Sequence, residues 1–436
     1  MNVRSLLARG STLVVLAAAF AQEPPQVTAH EPAQFARDVA TTTQRLAVTF
    51  DRDMDRRRSS DGSGFGPAGP RTMRGRFRDA RTFEWEVELA RDRLYVLALG
   101  AGSPNPFVAA DGTELPATEW CFATEGEPVS RAQAEAATVQ LFRTVRDHYA
   151  LHDLMGVDWA SLRERTRSQL ADGQSGASLA LVFAEALAAA QDPQVAVAFR
   201  NSIVPSWRRE PAPTPAIERL ARTLPRLAPV GRTALMARTD DGIGYLQLTS
   251  FERGDGLAML RALRSLLDCR ALVVDVRAAS GRGDPALARR IAAFFVAGEV
   301  VYASQRARDP EVRGGFAEPV ALRLVGSPAA ERFTGQVAVL MGAANMATSE
   351  HFLLMMKQGE RVLLVGQRSF GSSSDAVAHP LLPGLSVLLP ASQTLTPDGT
   401  AFEGTGLEPH LHVPDAGGTA GVDPVLAEAL SRLRRQ

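Results

Sequence analysis

The sequence predicts a multidomain protein: an N-terminal β-sandwich, then a helical subdomain, then an α/β core. Three observations carry that prediction. Between Pro24 and Glu127, short runs alternate apolar and polar residues with a period of two and are separated by Gly, Pro, Asn and Asp, as strands joined by turns are. From Ser130 to Ala190 apolar residues recur every three or four positions, the pattern of helices that bury one face. From Asp241 onward, continuous apolar runs alternate with amphipathic stretches, as in a largely parallel or mixed sheet with helices packed on it.

The chain has 436 residues, 45% hydrophobic and 22% charged, with zero formal net charge. That is an ordinary globular composition with length for two or three domains, and it implies neither nucleic acid nor an anionic membrane as partner. Lys357 is the only lysine, so a mechanism that needs a lysine base has one candidate. Met1 to Ala21 carries Arg4 and Arg9, an apolar core from Leu13 to Phe20, and Ala19-Phe20-Ala21 before Gln22. This is the three-part pattern of a secretory signal peptide, with cleavage expected after Ala21 and a secreted or periplasmic mature chain. The apolar core is shorter than the roughly 20 residues that cross a bilayer, so no membrane span is expected after cleavage. Cys121 and Cys269 fall in different expected domains and are expected as free, buried thiols.

The expected divisions are a signal peptide at 1–21, a β-sandwich at 24–126, a helical subdomain at 127–200, a Pro-rich connector at 201–234, the core at 235–415 and a C-terminal helix at 416–436. Sandwich strands are expected at Arg45 to Asp51, Thr82 to Leu89, Arg93 to Gly100 and Glu119 to Glu125, with Arg56 to Arg71 a solvated, Gly-rich loop. In the first helix Val139, Phe142, Val145 and Tyr149 share a face. His148 and His152 are four apart, but with no third ligand at matching spacing no metal site is expected, and no cofactor either.

In the core, strands are expected at Asp241 to Phe251, Arg270 to Val276 and Glu299 to Ser304, with helices at Gly256 to Leu267 and Pro285 to Phe295. The chain is organised around Gln336 to Asp375. Gln336 to Met341 is an unbroken apolar run that needs cover on both faces, and Thr348 to Gln358 reads as a helix. Ala347 and Thr348 stand at the start of that helix, where unpaired N–H groups and the macrodipole favour a nucleophile or an oxyanion. A second apolar strand and a Gly/Ser loop follow.

From about Pro128 to Val413 this pattern resembles the tail-specific (C-terminal processing) serine peptidases, in the branch that includes the tricorn core. Glu350, Phe352, Val365, Gly366, Phe370 and Gly371 match the family's Ser-x-x-Glu turn, strand and "FG" loop without a gap, as does the PDG…EGTG run at Pro397 to Gly406. The resemblance implies a crotonase-like core, a polypeptide substrate or protein ligand, and a site assembled from four elements. Ala347 occupies the nucleophile position and Gln194 the position of the general-base His. The oxyanion turn reads DVRAASGRGD, with Ala278 and Ala279 where the family has Gly and Asn, and Gly281 and Gly283 retained. Glu403 matches the residue that orients the polar network. The order of Phe50, Met54, Leu89, Tyr95, Asp111, Gly112, Phe122 and Thr124 in turn resembles bacterial Ig-like modules.

A methyl group cannot attack a carbonyl, and an amide does not take a proton near neutral pH. Residues that act as a unit lose activity together, so the three substituted elements imply a secreted, peptidase-like protein that is catalytically inactive and retains a polypeptide-binding cleft. Two alternatives stand beside it: a working serine peptidase using Thr348 or Ser349, and a cell-envelope structural or adhesion protein acting through the Ig-like module. A Ser–Lys dyad is excluded, because its lysine position is Ser372 and Lys357 lies about 15 Å along the helix from residue 347.

Overall fold

A computed structural model describes residues 23–57, 69–101, 103, 105–209, 215–281, 283–313, 315–414 and 421–435. The expected signal peptide and most of the Arg56 to Arg71 loop lie outside the described residues. The protein is a multidomain α/β protein whose N-terminal region is rich in strands.

The N-terminal strands are β1 (Val27–Glu31), β2 (Ala36–Val39), β3 (Arg45–Phe50), β4 (Arg71–Phe77), β5 (Thr82–Glu88), β6 (Leu94–Ala98) and β7 (Glu119–Thr124). They form a four-stranded antiparallel sheet, β1-β3-β5-β4, and a three-stranded sheet, β2-β7-β6. The described residues divide into two compact units. One comprises those up to Gln34, Thr43–Glu88 and Leu97–Trp120; the other comprises Phe35–Thr42, Leu89–Val96 and the chain from Cys121. The first unit is held by aromatic packing: Phe83 lies 4.9 Å from Phe77, 4.7 Å from Trp85 and 5.3 Å from Phe107, each edge to face, the arrangement aromatic quadrupoles prefer.

The second unit continues with α1 (Arg131–His148), α2 (Trp159–Ser168), α3 (Gly176–Leu187), β8 (Ala196–Phe199) and β9 (Ser202–Pro205). The first helix starts at a reciprocal capping box between Ser130 and Gln133, which satisfies two otherwise unpaired donors. Then follow α4 (Ile217–Thr223), β10 (Ala228–Val230), β11 (Ala234–Arg238), β12 (Ile243–Leu248), α5 (Gly256–Ser265), β13 (Ala271–Asp275), α6 (Pro285–Ala292), β14 (Glu299–Ala307) and β15 (Val320–Val325). The chain closes with β16 (Gln336–Met341), α7 (Thr348–Met356), β17 (Val362–Gly366), β18 (Ala376–Leu382), β19 (Leu385–Pro390), β20 (Ser392–Leu395), β21 (Leu411–His412) and α8 (Pro424–Arg435). The Pro-rich stretch 201–234 thus carries β9, α4 and β10.

A seven-stranded sheet, β10-β11-β12-β13-β16-β17-β21, forms the centre. It is antiparallel up to β12 and parallel from there on. Leu246, Val274, Val339 and Leu364 stand in register across it and pack with α5, α6 and α7. Their neighbours Tyr245, Val273 and Ala338 face the other way, onto Leu220 of α4 and Leu426 and Leu430 of α8. The cover on both faces explains why β16 has no polar alternation. Two smaller antiparallel sheets, β15-β14-β20 and β18-β19-β8-β9, complete the unit. Cys121 and Cys269 are buried and are not in a disulfide. No helix among the described residues is long and apolar enough to cross a membrane.

Candidate active site

The parallel strands β13 and β16 end side by side, and the loops leaving them build the site. Ala347 is the N-cap of α7, with φ 51° and ψ −122°, a conformation that costs a residue with a Cβ on the order of 1–3 kcal/mol and persists only where surroundings impose it. The surroundings are visible. The Ala347 amide donates to the Ser372 carbonyl at 2.8 Å and the Phe370 amide to the Asn345 carbonyl at 2.9 Å. Asn345 is fully buried. It accepts from the Gly342 amide at 2.8 Å and donates to the Val276 and Ala279 carbonyls at 2.6 and 3.1 Å.

Facing this turn, the 369–375 loop hangs from two buried carboxyls. Glu350 accepts from the Ser369 hydroxyl at 2.5 Å and from the Gly371 and Ser372 amides at 2.7 and 3.0 Å. Glu403 accepts from the Ser373 hydroxyl at 2.6 Å and from the Ser373 amide at 3.2 Å. Burial is the main cause that raises Glu350 to about 7 and Glu403 to about 8, with the Glu350 and Asp192 charges also raising Glu403. Near neutral pH Glu403 therefore largely keeps, and Glu350 partly keeps, a proton that an exposed carboxyl would have lost. The Arg209 guanidinium stacks 4.5 Å above the Phe370 ring and is close enough for the Glu350 charge to act on it, although burial lowers its pKa.

Gln194 follows α3 and is buried. Its backbone N–H donates to Asp192 at 2.8 Å, and Asp192 also accepts from the Tyr149 hydroxyl at 2.9 Å. Burial raises both groups, and Tyr149 is raised further by the charges of Asp192 and Glu403. Gln194 is thus hydrogen-bonded to Asp192, whose charge acts on Glu403, and Glu403 holds Ser373, the neighbour of the Ser372 whose carbonyl accepts from Ala347.

The two hydroxyls after Ala347 turn towards the loop that follows β13. Thr348 Oγ1 accepts from the Gly283 amide at 3.2 Å and lies 3.3 Å from its carbonyl. Ser349 is buried; its hydroxyl lies 2.9 and 2.7 Å from the Ala279 and Met346 carbonyls and accepts from the Met346 amide at 3.0 Å. In the same loop Ala279 is buried and its amide closes a turn onto Val276, while Gly281 has φ 98°. Gly283 passes so close to Phe251 that a Cβ there would sit 2.7 Å from the Phe251 Cβ. Ala278 precedes Ala279 in this loop.

Arg277, just before Ala278, is clamped between Asp275 and Asp423. Its Nη2 lies 2.7 Å from each carboxylate, and Tyr245 donates to Asp275 at 2.9 Å. No described group of His, Cys, Asp and Glu side chains has the arrangement of a metal site. His148 stacks on His379, and His152 pairs with Asp153 and stacks on Trp159.

Peptidase family S41 matches residues 242–413, the stretch that holds β12 to β21, the turn at Ala347 and Glu403. Residues 242–413 are a peptidase family S41 domain. Among solved structures, a peptidase-like protein from Parabacteroides merdae ATCC 43184 is 22% identical over 69% of this chain and 96% of its own, with a TM-score of 0.60; the two share a fold. Mature CPAF (11% identity, 70% of this chain, 96% of that one, TM-score 0.49) and the photosystem II D1 C-terminal processing protease (15%, 67% and 99%, TM-score 0.43) are also similar. A comparison with curated proteins finds no match.

Among the site's buried groups, Asp192 and Glu350 were visible in the sequence only as parts of motifs. Tyr149 read as one apolar helix position among four. Ser373 sits in a run of three serines with no period or spacing to single it out. Arg209 and Asn345 gave no signal.

Proposed function

We propose that this chain is an exported member of the tail-specific peptidase group that holds polypeptide in its cleft without hydrolysing it. The observation that carries this reading is Ala347: the residue at the strained start of α7 ends in a methyl group, and the turn is held in place by backbone bonds and by Asn345 with no hydroxyl at that position. Thr348 and Ser349 are engaged by backbone groups of the 279–283 loop and of the turn itself, which argues against either as a displaced nucleophile. Gln194, in the base position, can hydrogen-bond but cannot shuttle a proton. Glu403 supports the Ser373 side of the cleft. We further read the core as crotonase-like and the N-terminal strands as an Ig-like sandwich, with export directed by residues 1–21.

Incubating the full chain with a pool of unstructured peptides tests this, read by mass spectrometry beside the double variant Ala347→Ser, Gln194→His. The wild type leaves the pool intact and retains part of it on co-sedimentation. The double variant cleaves slowly, because Ala278 and Ala279 leave its oxyanion turn altered. Cleavage by the wild type refutes the reading.

A further inference from the structure

Next to Thr348 a pocket of about 130 Å³ opens between α6, β14, β15, α7 and the 369–375 loop. A cavity of about that size holds a benzene-sized molecule, so it suits one side chain. Its walls include Ala288, Leu322 and Met355 and seven polar residues; Thr348 accepts from Gly283, Gln305 Nε2 donates to Ser392 and the Ser373 hydroxyl donates to Glu403, and the other four face the pocket with a definite order of donors and acceptors. His351 Nε2 lies 3.2 Å from the Ser373 carbonyl; a carbonyl only accepts, so Nε2 carries the proton. Nδ1, which no described residue bonds, is left as an acceptor on a ring that lines the pocket. Burial lowers the pKa of this imidazole, which keeps it in that neutral form.

Across from it, Arg289 donates to the Tyr302 hydroxyl at 3.4 Å, which leaves the guanidinium's other N–H groups and the Tyr302 O–H as donors. Arg289 has no ion pair among the described residues. Asp375, also in the lining, adds an acceptor. The lining therefore favours a ligand side chain that offers a donor and an acceptor together without net charge; a carboxamide meets the two sets with separate atoms, where a hydroxyl has one atom for both. A carboxylate meets Asp375 and the His351 lone pair, an ammonium meets Arg289, and an aliphatic group leaves both sets unpaired, which a site built for hydrogen bonds penalises.

We propose that this pocket selects a carboxamide side chain, Gln or Asn, of the bound polypeptide, with His351 Nδ1 accepting from its NH2 and Arg289 donating to its oxygen. The proposal rests on the polypeptide-binding reading above and names what that cleft prefers.

Fluorescence anisotropy on the full chain tests it, using fluorescein-labelled Ala/Ser nonapeptides whose central residue is Gln, Asn, Glu, Lys, Leu or Phe. The expected result is binding of the Gln or Asn peptide at least roughly tenfold tighter than the others. Arg289→Ala is expected to erode that margin, and His351→Phe to shift preference to Leu and Phe. Arg289 is exposed, so its variant remains informative if His351→Phe fails to fold. Tightest binding of Leu, Phe or Glu by the wild type, or a margin unchanged by Arg289→Ala, overturns the pocket assignment while leaving the binding cleft standing. Failure of every peptide to bind overturns both.

Discussion

Glu403 is the residue whose perturbation reads the buried network most sharply. A carboxyl that ordinarily titrates at 4.5 and is held at about 8 keeps its proton in the folded chain across a window in which the unfolded chain has lost it. The folded state then binds more protons than the unfolded state, so stability falls as pH rises. The contribution is fully present below 4.5 and is lost as pH passes through about 8. At roughly 1.4 kcal/mol for each pH unit, the loss over the window is about 4–5 kcal/mol. Glu350, raised to about 7, acts in the same direction, and because the two carboxyls interact their effects are shared rather than summed.

Glu403→Gln removes the ionisation but keeps an oxygen to accept from the Ser373 amide and hydroxyl. Urea unfolding followed by circular dichroism at pH 5 and pH 9 is the assay. At pH 5 the variant should match the wild type within about 1 kcal/mol; at pH 9 it should be the more stable of the two by several kcal/mol, up to about 4. A variant that is less stable than the wild type by the same amount at both pH values would show Glu403 ionised throughout and refute the reasoning.

Three further outcomes are expected. Asp423→Ala should destabilise the second unit by about 3–5 kcal/mol, because it leaves the buried Arg277 guanidinium half compensated and removes the acceptor for the Leu426 amide; Arg277→Met with Asp423→Leu should cost less, as measured by the same unfolding assay. Gly371→Ala should weaken the 369–375 loop, since φ is 87° there and a Cβ would lie 2.5 Å from the Gly406 nitrogen, and hydrogen exchange should show the Ser372 and Ser373 amides losing protection. N-terminal sequencing of exported protein should begin at Gln22, and retention of Met1 would contradict the export reading.

The sequence was most legible where a buried face imposed its period. The run Gln336 to Met341 is the strand β16, bounded as its apolar letters suggest, because cover on both faces leaves no place for a polar residue. Ends were less legible. The helix expected to reach Gln358 stops at Met356, and the one expected to reach Phe295 gives way after Ala292 to a tighter turn at Ala293–Phe295. The strand at Glu299 runs on to Ala307 because β20 pairs with its far end, a partner nearly ninety residues away that no local pattern announces. At the site, the Ala347 turn could be placed from its neighbours Glu350 and Phe352. The Asn345 bracket, the Ser373–Glu403 pair and the Tyr149–Asp192 contact could not, since each joins polar residues distant in sequence and none has a period.

The proposed inactivity requires that no side chain in this cleft act as a serine-type nucleophile. Intact-mass analysis after treatment with an alkyl fluorophosphonate at pH 8, which phosphonylates activated hydroxyls, tests it most directly. The account predicts an unmodified wild-type chain and a single adduct on residue 347 in the Ala347→Ser, Gln194→His variant. An adduct on the wild-type chain that maps to Thr348 or Ser349, and that disappears when that residue alone is changed to alanine, would contradict it.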